Sequence, residues 1–530
     1  MNAAPSLETE EPSHYSQGAR QKWLLFTGLA LAMFVFSLNQ AMLSVALPTI
    51  VGELGGADQI HWVATSYMLA ATSMLPVYGK LGDRFGAHRL FNIASGIFLA
   101  ACVAGFLITS MEWLIVVRFI QGLGGAGLVV LSQTLLALHI QPKERGKYMG
   151  LLGAVFVLST VLGPVIGGVI THAWGWRWCF GVNIPLGLLS LALCMVFLRT
   201  PAEESAPDNG QLSGIGEVAS EPHGARATLA GEKATPKIDI AGLVLLTVSI
   251  TAAVLVMSWG GRTYPWLSLP ILGISAAGLV ALGLSIAVEA RAEDPVLPLG
   301  LFSQRNFVVA SVISAVLSMA MFAVTTYLPT YIQIVEGVDA AMAGFVLLPM
   351  MIAVFLCSTG AGFIISRTQS YRAVLMVGGV LVTASMVLLG LKTVEQPLWY
   401  LVLVLVLMGI GLGFSVQMSV LLAQNSSPDS LLGTVTAATN LFRELGGTIG
   451  ISLAGGLFTA RLVNSSAKDF SEIDIESVSP ESVKEMSEPM KVLVEGIYND
   501  ALLPVYLFLS PVVALAIFFI FFINTKQIRN

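Results

Sequence analysis

Residues 79–89 read Gly-Lys-Leu-Gly-Asp-Arg-Phe-Gly-Ala-His-Arg, a short polar stretch between two long apolar ones. The flanking stretches, 60–79 and 90–110, are each about 20 residues long, which lets a helix cross a hydrocarbon core of roughly 30 Å. Glycines permit a tight turn, and an acid beside two arginines can form a charged latch, whereas a plain basic loop needs neither. We predict a hairpin of two membrane helices closed by a gating turn. The residues assigned to this gate are Gly79, Asp83, Arg84, Gly86 and Arg89.

Apolar stretches of this length recur along almost the whole chain. Hydrophobic residues make up 55% of the sequence and charged residues 11%, against about 25% charged residues in soluble domains. We therefore predict an all-α membrane protein with fourteen transmembrane helices. The predicted spans are 23–47, 60–79, 90–110, 113–138, 148–172, 179–199, 238–259, 268–289, 307–332, 341–364, 372–392, 399–422, 434–460 and 501–524.

The even number of spans places both termini on one side of the membrane. If that side is cytoplasmic, its segments hold 18 of the 27 basic residues, as the positive-inside rule requires. Most tryptophans fall near the opposite ends of the spans, which is typical of an interfacial belt. These are Trp62, Trp113, Trp174, Trp176, Trp178, Trp259, Trp266 and Trp399. We predict an integral protein of the cell (inner) membrane with cytoplasmic termini.

A weak internal repeat suggests how the spans are grouped. Gly79 matches Gly362 at a shift of 283 residues, and Gly163 matches Gly446 at the same shift. The repeat pairs spans 1–6 with spans 9–14 in parallel, which is one of the known plans of transporters. The predicted organisation is a tail (1–22), a six-helix bundle (23–199), a cytoplasmic linker (200–237), an inserted hairpin (238–289), a connector (290–306) and a second six-helix bundle (307–530) with an outer loop (462–500).

Two motifs lie inside the predicted spans. In span 4, Arg118 is costly to place in hydrocarbon, and Gln121 shares its helix face, so we expect a functional role, with a structural tie between helices as the alternative. In span 5, small residues four apart favour close packing of helices and Pro164 should bend its helix. The gating residues assigned to span 5 are Gly163, Pro164, Gly167 and Gly168.

Together these stretches resemble the major facilitator superfamily, and within it the drug–proton antiporter family with fourteen transmembrane helices. The resemblance covers residues 23–524 and rests on the 79–89 turn, the Arg118–Gly122 run, the Gly163–Gly168 run and the Trp176–Gly187 region. It implies two six-helix halves plus an inserted hairpin, and proton-driven multidrug efflux of the kind that confers antibiotic resistance. It also implies a part for Arg118 in proton coupling. Ala87 stands where the family usually has a basic residue.

The acidic residues inside the spans depart from the family pattern. Asn39, next to Gln40, replaces the usual aspartate of span 1, and an amide cannot take up a proton near neutral pH. Glu444, next to Arg443 in span 13, is the acid that falls well inside a predicted span. We predict proton coupling through Glu444, Arg118 and Arg443, with a structural Glu–Arg tie as the alternative.

The function that follows is a proton-coupled exporter of amphiphilic compounds, a carrier rather than an enzyme. The alternatives are an exporter or flippase of an endogenous lipid or metabolite, and a non-transporting receptor or scaffold. The expected partners are an amphiphilic substrate, protons and the lipid bilayer; no cofactor, metal, nucleotide or nucleic acid is expected, since the G-x-G-x-x-G run at 122–127 lies inside a span. The candidate substrate-binding residues are Asn39, Gln40, Gln121, Tyr327, Tyr331, Gln333, Gln417 and Asn440.

Overall fold

The computed structural model is almost entirely helical, with no β-strand in the part of the chain that it describes. The helices are α1 (Ala19–Leu54), α2 (Ile60–Phe85), α3 (Ala87–Phe106), α4 (Met111–His139), α5 (Pro142–Trp174), α6 (Trp178–Gly181), α7 (Asn183–Phe197), α8 (Ile240–Trp259), α9 (Leu269–Glu289), α10 (Arg305–Val335), α11 (Ala340–Thr368), α12 (Tyr371–Gly390), α13 (Leu398–Asn425), α14 (Leu432–Asp469) and α15 (Glu488–Ile520). The described residues are 19–56, 59–197, 239–261, 263–469, 482–483, 486–525 and 528.

The predicted all-α membrane fold is confirmed, with some corrections to the spans. Within the described residues, thirteen helical segments are long and apolar enough to cross a membrane. The remaining span, α2, has a lower mean hydropathy because Thr65, Ser66, Thr72 and Ser73 lie along it. The sixth span is one helical segment of membrane length, Trp178–Phe197, in which α6 and α7 meet at Val182.

The last two spans are longer than the sequence predicts. α14 continues to Asp469, and the last helix begins at Glu488 rather than at residue 501. Ser487 precedes this helix and Pro489 stands in its first turn, where a missing N–H costs nothing. The predicted outer loop therefore contains the end of α14 and the beginning of α15, while the predicted linker 200–237 lies outside the described residues.

The two halves of the chain pack in the same way. In the first half, α5 crosses α1 closely because a Cβ on Gly167 would meet the backbone of Met42. In the second half, α14 crosses α10 closely because a Cβ on Gly450 would meet the backbone of Met319. Small residues allow such backbone approach between membrane helices. The repeat read from the sequence thus corresponds to a repeated helix packing.

The hairpin α8–α9 lies against the seam between the halves. α8 packs on both α2 and α14, whereas α9 packs on α8. Thr251 of α8 hydrogen-bonds Ser73 of α2 across 2.9 Å, and the rings of Trp259 and Trp62 meet at 5.4 Å. The hairpin therefore touches both halves.

The bundle has two opposite faces. The terminal face contains the start of α1, the turn at Gly86 and the end of α15; the distal face is the opposite one.

Candidate functional site

A buried arginine lies at the centre of the first half. The guanidinium of Arg118 is 2% exposed and donates hydrogen bonds of 2.7 Å to the side-chain oxygens of both Asn39 and Gln121. It also donates to the backbone oxygen of Val63 and lies 4.0 Å from the centre of the Tyr67 ring. The contacts found for this cation are therefore with neutral groups. Gln121, which the sequence places on the same helix face as Arg118, is one of these partners.

The Arg118 cluster contains polar groups that have no hydrogen-bond partner among the described residues. The amide nitrogen of Asn39 and the hydroxyl of Tyr67 are buried and have no hydrogen-bond partner among the described residues. Leaving such groups unpaired inside a protein is unfavourable. The cluster can therefore donate a hydrogen bond to a further acceptor.

An ion pair lies on the seam between the halves. Arg443 of α14 binds Glu444 at 3.1 Å, and its guanidinium lies 5.8 Å from the ring of Phe156 on α5 of the other half. The Glu444 side chain is 24% exposed, so the carboxylate is reachable. The pair and the Arg118 cluster belong to different halves.

A second set of polar contacts crosses the seam nearer the terminal face. Asn440 of α14 donates to the side chain of Gln133 on α4 at 2.7 Å, and Gln424 donates to the backbone of Gln133 at 3.3 Å. Arg145, fully buried, donates to the side chain of Asn425 at 2.9 Å. We did not single out these glutamines and Arg145 from the sequence. The signal was available for Gln133, an amide inside the predicted span 113–138, whereas Gln424 lies just past the end of the predicted span 399–422.

Asp83, the acid of the predicted latch, joins α2 to the start of α14. Both carboxylate oxygens of Asp83 accept backbone N–H groups at the start of α14, from Gly433 at 2.6 Å and Thr434 at 2.7 Å. A carboxylate at a helix N-terminus is favoured by its free N–H groups and dipole. A Cβ on Gly79 would collide with Ala437, so this glycine permits the close approach.

A neighbouring acid engages the cations of the latch. Asp294, in the connector after the hairpin, binds Lys80 and also Arg84, the latter at 2.7 Å. Burial disfavours ionisation of Asp294, but the hydrogen bonds and charges of Lys80 and Arg84 outweigh it and lower its pKa. Arg84 therefore pairs with the connector rather than with Asp83, and Arg89 is exposed.

The opposite junction, between α5 and α11, uses small residues. A Cβ on Gly362 would meet the backbone of Gly146 and Gly150, so the helices touch backbone to backbone. Ser366 accepts the backbone N–H of Lys147 at 2.9 Å, in the first turns of α5. Gln417, a candidate substrate residue, packs against Gly153 at this seam, and its side-chain oxygen has no partner among the described residues.

Other candidate residues lie elsewhere in the bundle. Tyr331 is fully buried within the second half, where its hydroxyl donates to Asn499 and accepts from Lys392. Tyr327 donates to the backbone of Ile451, and Gln333 donates to its own helix at Pro329. Gln40 is exposed. Gly163, Gly167 and Gly168 face α1, and α5 continues through Pro164. The structure thus brings Asn39, Gln121, Asn440 and Gln417 to the centre or seam, and separates the others from it.

The chain was compared with known proteins. The sequence model of the Major Facilitator Superfamily matches residues 29–451. The chain is 32% identical over 513 residues to an uncharacterized MFS-type transporter of Mycobacterium tuberculosis, covering 95% of this chain and 70% of that protein. It is 31% identical over 446 residues to the multidrug transporter protein MdtP of Bacillus subtilis, covering 84% and 76%.

A solved structure shows the same fold. The human organic anion transporter MFSD10 superimposes with a TM-score of 0.60 at 14% identity, covering 95% of this chain and 100% of that one. At this identity the likeness concerns the fold alone.

Proposed function

Because the chain belongs to the major facilitator superfamily of membrane transporters, we propose that it is a proton-coupled exporter of amphiphilic compounds. Relatives named multidrug transporters at about 30% identity support export of such compounds. In this proposal the two halves rock about a central site, and the terminal face is cytoplasmic. The structure, closed at its terminal face by both junctions, is then one of the two end states.

The observation that carries the proposal is the Arg443–Glu444 pair at the seam. Glu444 is partly exposed, and its partner reaches an aromatic ring of the opposite half. A carboxyl that takes up a proton loses its charge and weakens the ion pair with Arg443. The charge state of Glu444 would therefore alter a contact between the halves, which is what coupling requires.

Arg118 is assigned a role in binding as well as in coupling. Its cluster offers the unpaired donors of Asn39 and Tyr67, and Asn39 replaces a carboxylate with an amide. Such a site favours a hydrogen-bond acceptor on the substrate over a cationic group. We therefore assign neutral or acceptor-bearing amphiphiles as substrates, with Asn39, Gln121, Gln417 and Asn440 as the contacting residues.

The test is transport of a dye panel by purified protein in proteoliposomes under an imposed pH gradient. The wild type should accumulate at least one dye only when the gradient is present. Glu444→Gln should still move that dye down the dye's own concentration gradient, but the pH gradient should no longer drive its accumulation. Glu144→Gln, which alters an exposed pair with Lys22 at 2.9 Å, is the matched control and should behave as wild type.

Two results would overturn parts of the proposal. Gradient-driven accumulation by Glu444→Gln equal to that of the wild type would remove Glu444 from coupling. Failure of the wild type to move any dye would remove drug export. The second candidate, export of an endogenous lipid or metabolite, is favoured by the neutral partners of Arg118, and lipid and metabolite profiles of a deletion strain would then identify the cargo.

A further inference from the structure

A cavity of about 640 Å³ lies between the hairpin and α14, away from the central site. Its walls come from one side of α8, one side of α9 and the outer side of α14, and the connector residues Leu299 and Phe302 close one end. The volume falls within the range of ligand pockets. Exposed apolar residues on its α9 wall, such as Leu279 and Ile286 at 69% and 49%, open it toward the bilayer.

The chemistry of the lining is that of a hydrocarbon site. Apart from Ser249, Ser275, Ser285 and Glu289, the lining side chains are apolar. The Ser249 hydroxyl is already used within its own helix, donating to Leu246 at 2.8 Å. Both Glu289 oxygens accept backbone N–H groups of the connector, at 3.1 and 3.2 Å. A cavity lined this largely by apolar side chains favours hydrocarbon over water.

The depth of the cavity identifies the occupant. Its lining on α9 extends from Ile274 to Glu289, roughly 22 Å at 1.5 Å per residue. It begins at the terminal end of the hairpin, and one leaflet of a bilayer provides about half of a 30 Å hydrocarbon core. The cavity is therefore longer than one leaflet is deep, so an extended chain that enters from the terminal leaflet fits it lengthwise. We propose that it holds an acyl chain of a resident membrane phospholipid, between the hairpin and the second half.

The location gives the lipid a consequence for α14. Leu441, Phe442 and Leu445 line the cavity, while Arg443 and Glu444, between them in sequence, form the pair at the seam. Phe302 meets the ring of Phe442 at 6.3 Å and so fixes the connector to the same turn of α14. A chain in the cavity packs the outer side of the helix whose other side carries the ion pair. The lipid thus supports α14 where the hairpin itself does not reach it.

The test counts phospholipids that remain bound. Protein purified from phosphatidylcholine–phosphatidylglycerol nanodiscs is released into mild detergent and weighed by native mass spectrometry. The wild type should retain one phospholipid. Leu282→Trp, which fills the cavity from α9, removes burial of about two methylene groups and should weaken retention roughly tenfold. Val280→Trp, on the same helix but outside the lining and 61% exposed, is the matched control.

A second pair of variants guards against a folding defect in the first. Ala253→Phe fills the cavity from α8, and Val248→Phe, outside the lining, is its control. Loss of the lipid in both filling variants, but in neither control, supports the proposal. Retention in both filling variants, equal loss in a control, or no retained lipid in the wild type overturns it. The readout does not depend on transport, so this result is separable from the fate of the proposed function.

Discussion

The two junctions that join the halves at the terminal face occupy equivalent places in the repeat but differ in chemistry. At the α2–α14 junction, the Asp83 carboxylate accepts two N–H groups at the start of α14, with Lys80, Arg84 and Asp294 beside it. At the α5–α11 junction, Ser366 accepts one N–H group, and glycine backbones supply the rest of the contact. Asp83 and Ser366 are 283 residues apart, the shift of the repeat.

Because of this difference in chemistry, we expect the two junctions to contribute differently to closure of the terminal face. A glycine contact depends on shape and is insensitive to pH or salt. A carboxylate at a helix N-terminus depends on charge and hydration, so its strength changes with protonation. We infer that the α5–α11 junction fixes how closely the halves approach, and that the α2–α14 junction regulates how often they separate.

The largest effect should come from filling the glycine junction. Gly362→Leu places a side chain against the backbone of Gly146 and Gly150, and such overpacking should cost about 3 kcal/mol of the closed state, or roughly a hundredfold in population. With spin labels attached at Gln141 and Thr368, electron paramagnetic resonance should measure a longer label-to-label distance in this variant than in the wild type. Gly360→Leu, where a Cβ would meet nothing, is the control. An unchanged distance in Gly362→Leu would show that the contact does not set closure.

The second-largest effects should come from removing the hydrogen-bond acceptor at each junction, Asp83 or Ser366. Asp83→Ala leaves two N–H groups of α14 without their partner and should weaken closure by about 2 kcal/mol, whereas Ser366→Ala removes one neutral bond and should cost about 1 kcal/mol. The same spin-label distance measures both variants. Equal effects, or a larger one for Ser366→Ala, would contradict the division between the junctions.

The charged junction should also respond to pH. Burial outweighs the hydrogen bonds from Thr434 and Gly433 and raises the pKa of Asp83 from 3.8 to about 6 in the closed state. An opened junction exposes the carboxyl and returns its pKa toward 3.8, so the closed state binds the proton more readily. Closure should therefore strengthen as the pH falls from 8 to 5, by up to roughly tenfold.

The pH response has a specific control. Asp83→Asn should remain closed and lose the response, because the amide stays neutral throughout. The charge of Lys80 acts on Asp83, and the lowered pKa of Asp294, which binds Lys80 and Arg84, keeps Asp294 charged across this range. A pH response that persists in Asp83→Asn would assign it to another group.

The smallest effect is expected at the connector. Asp294→Asn removes the carboxylate that binds Lys80 and Arg84, but the Asp294 side chain is 25% exposed, so water replaces part of the contact. We expect less than about 1 kcal/mol of weaker closure, with the loss greatest at low salt. Glu293→Asn, at an exposed neighbouring position, is the matched control. An Asp294 effect larger than that of Asp83→Ala would make the connector, not the cap, the main latch.

Much of the fold could be predicted because hydrophobicity and length constrain a membrane helix strongly. The end of α14 and the beginning of α15 extend beyond the predicted spans. These turns are polar, and hydropathy alone does not distinguish a polar helical turn from a loop.

The site was predicted less completely, for a different reason. Arg118 and Glu444 could be found because charge inside hydrocarbon is rare. Which partners they take depends on how distant helices meet, and no local pattern indicates that Asn440 reaches Gln133 or that Asp83 caps α14. The capping role has a partial signal, a glycine beside a helix start, but the partner lies 350 residues away.

The length of α14 has a practical consequence. At 38 residues it measures about 57 Å along its axis, more than the 40–45 Å of a whole bilayer with its headgroups. A helix of this length that runs along the membrane normal extends beyond the distal headgroups, and the first turn of α14 is held by Asp83 of the opposite half. An antibody fragment raised against the distal turns would serve as a fiducial that orients the particle in electron cryomicroscopy.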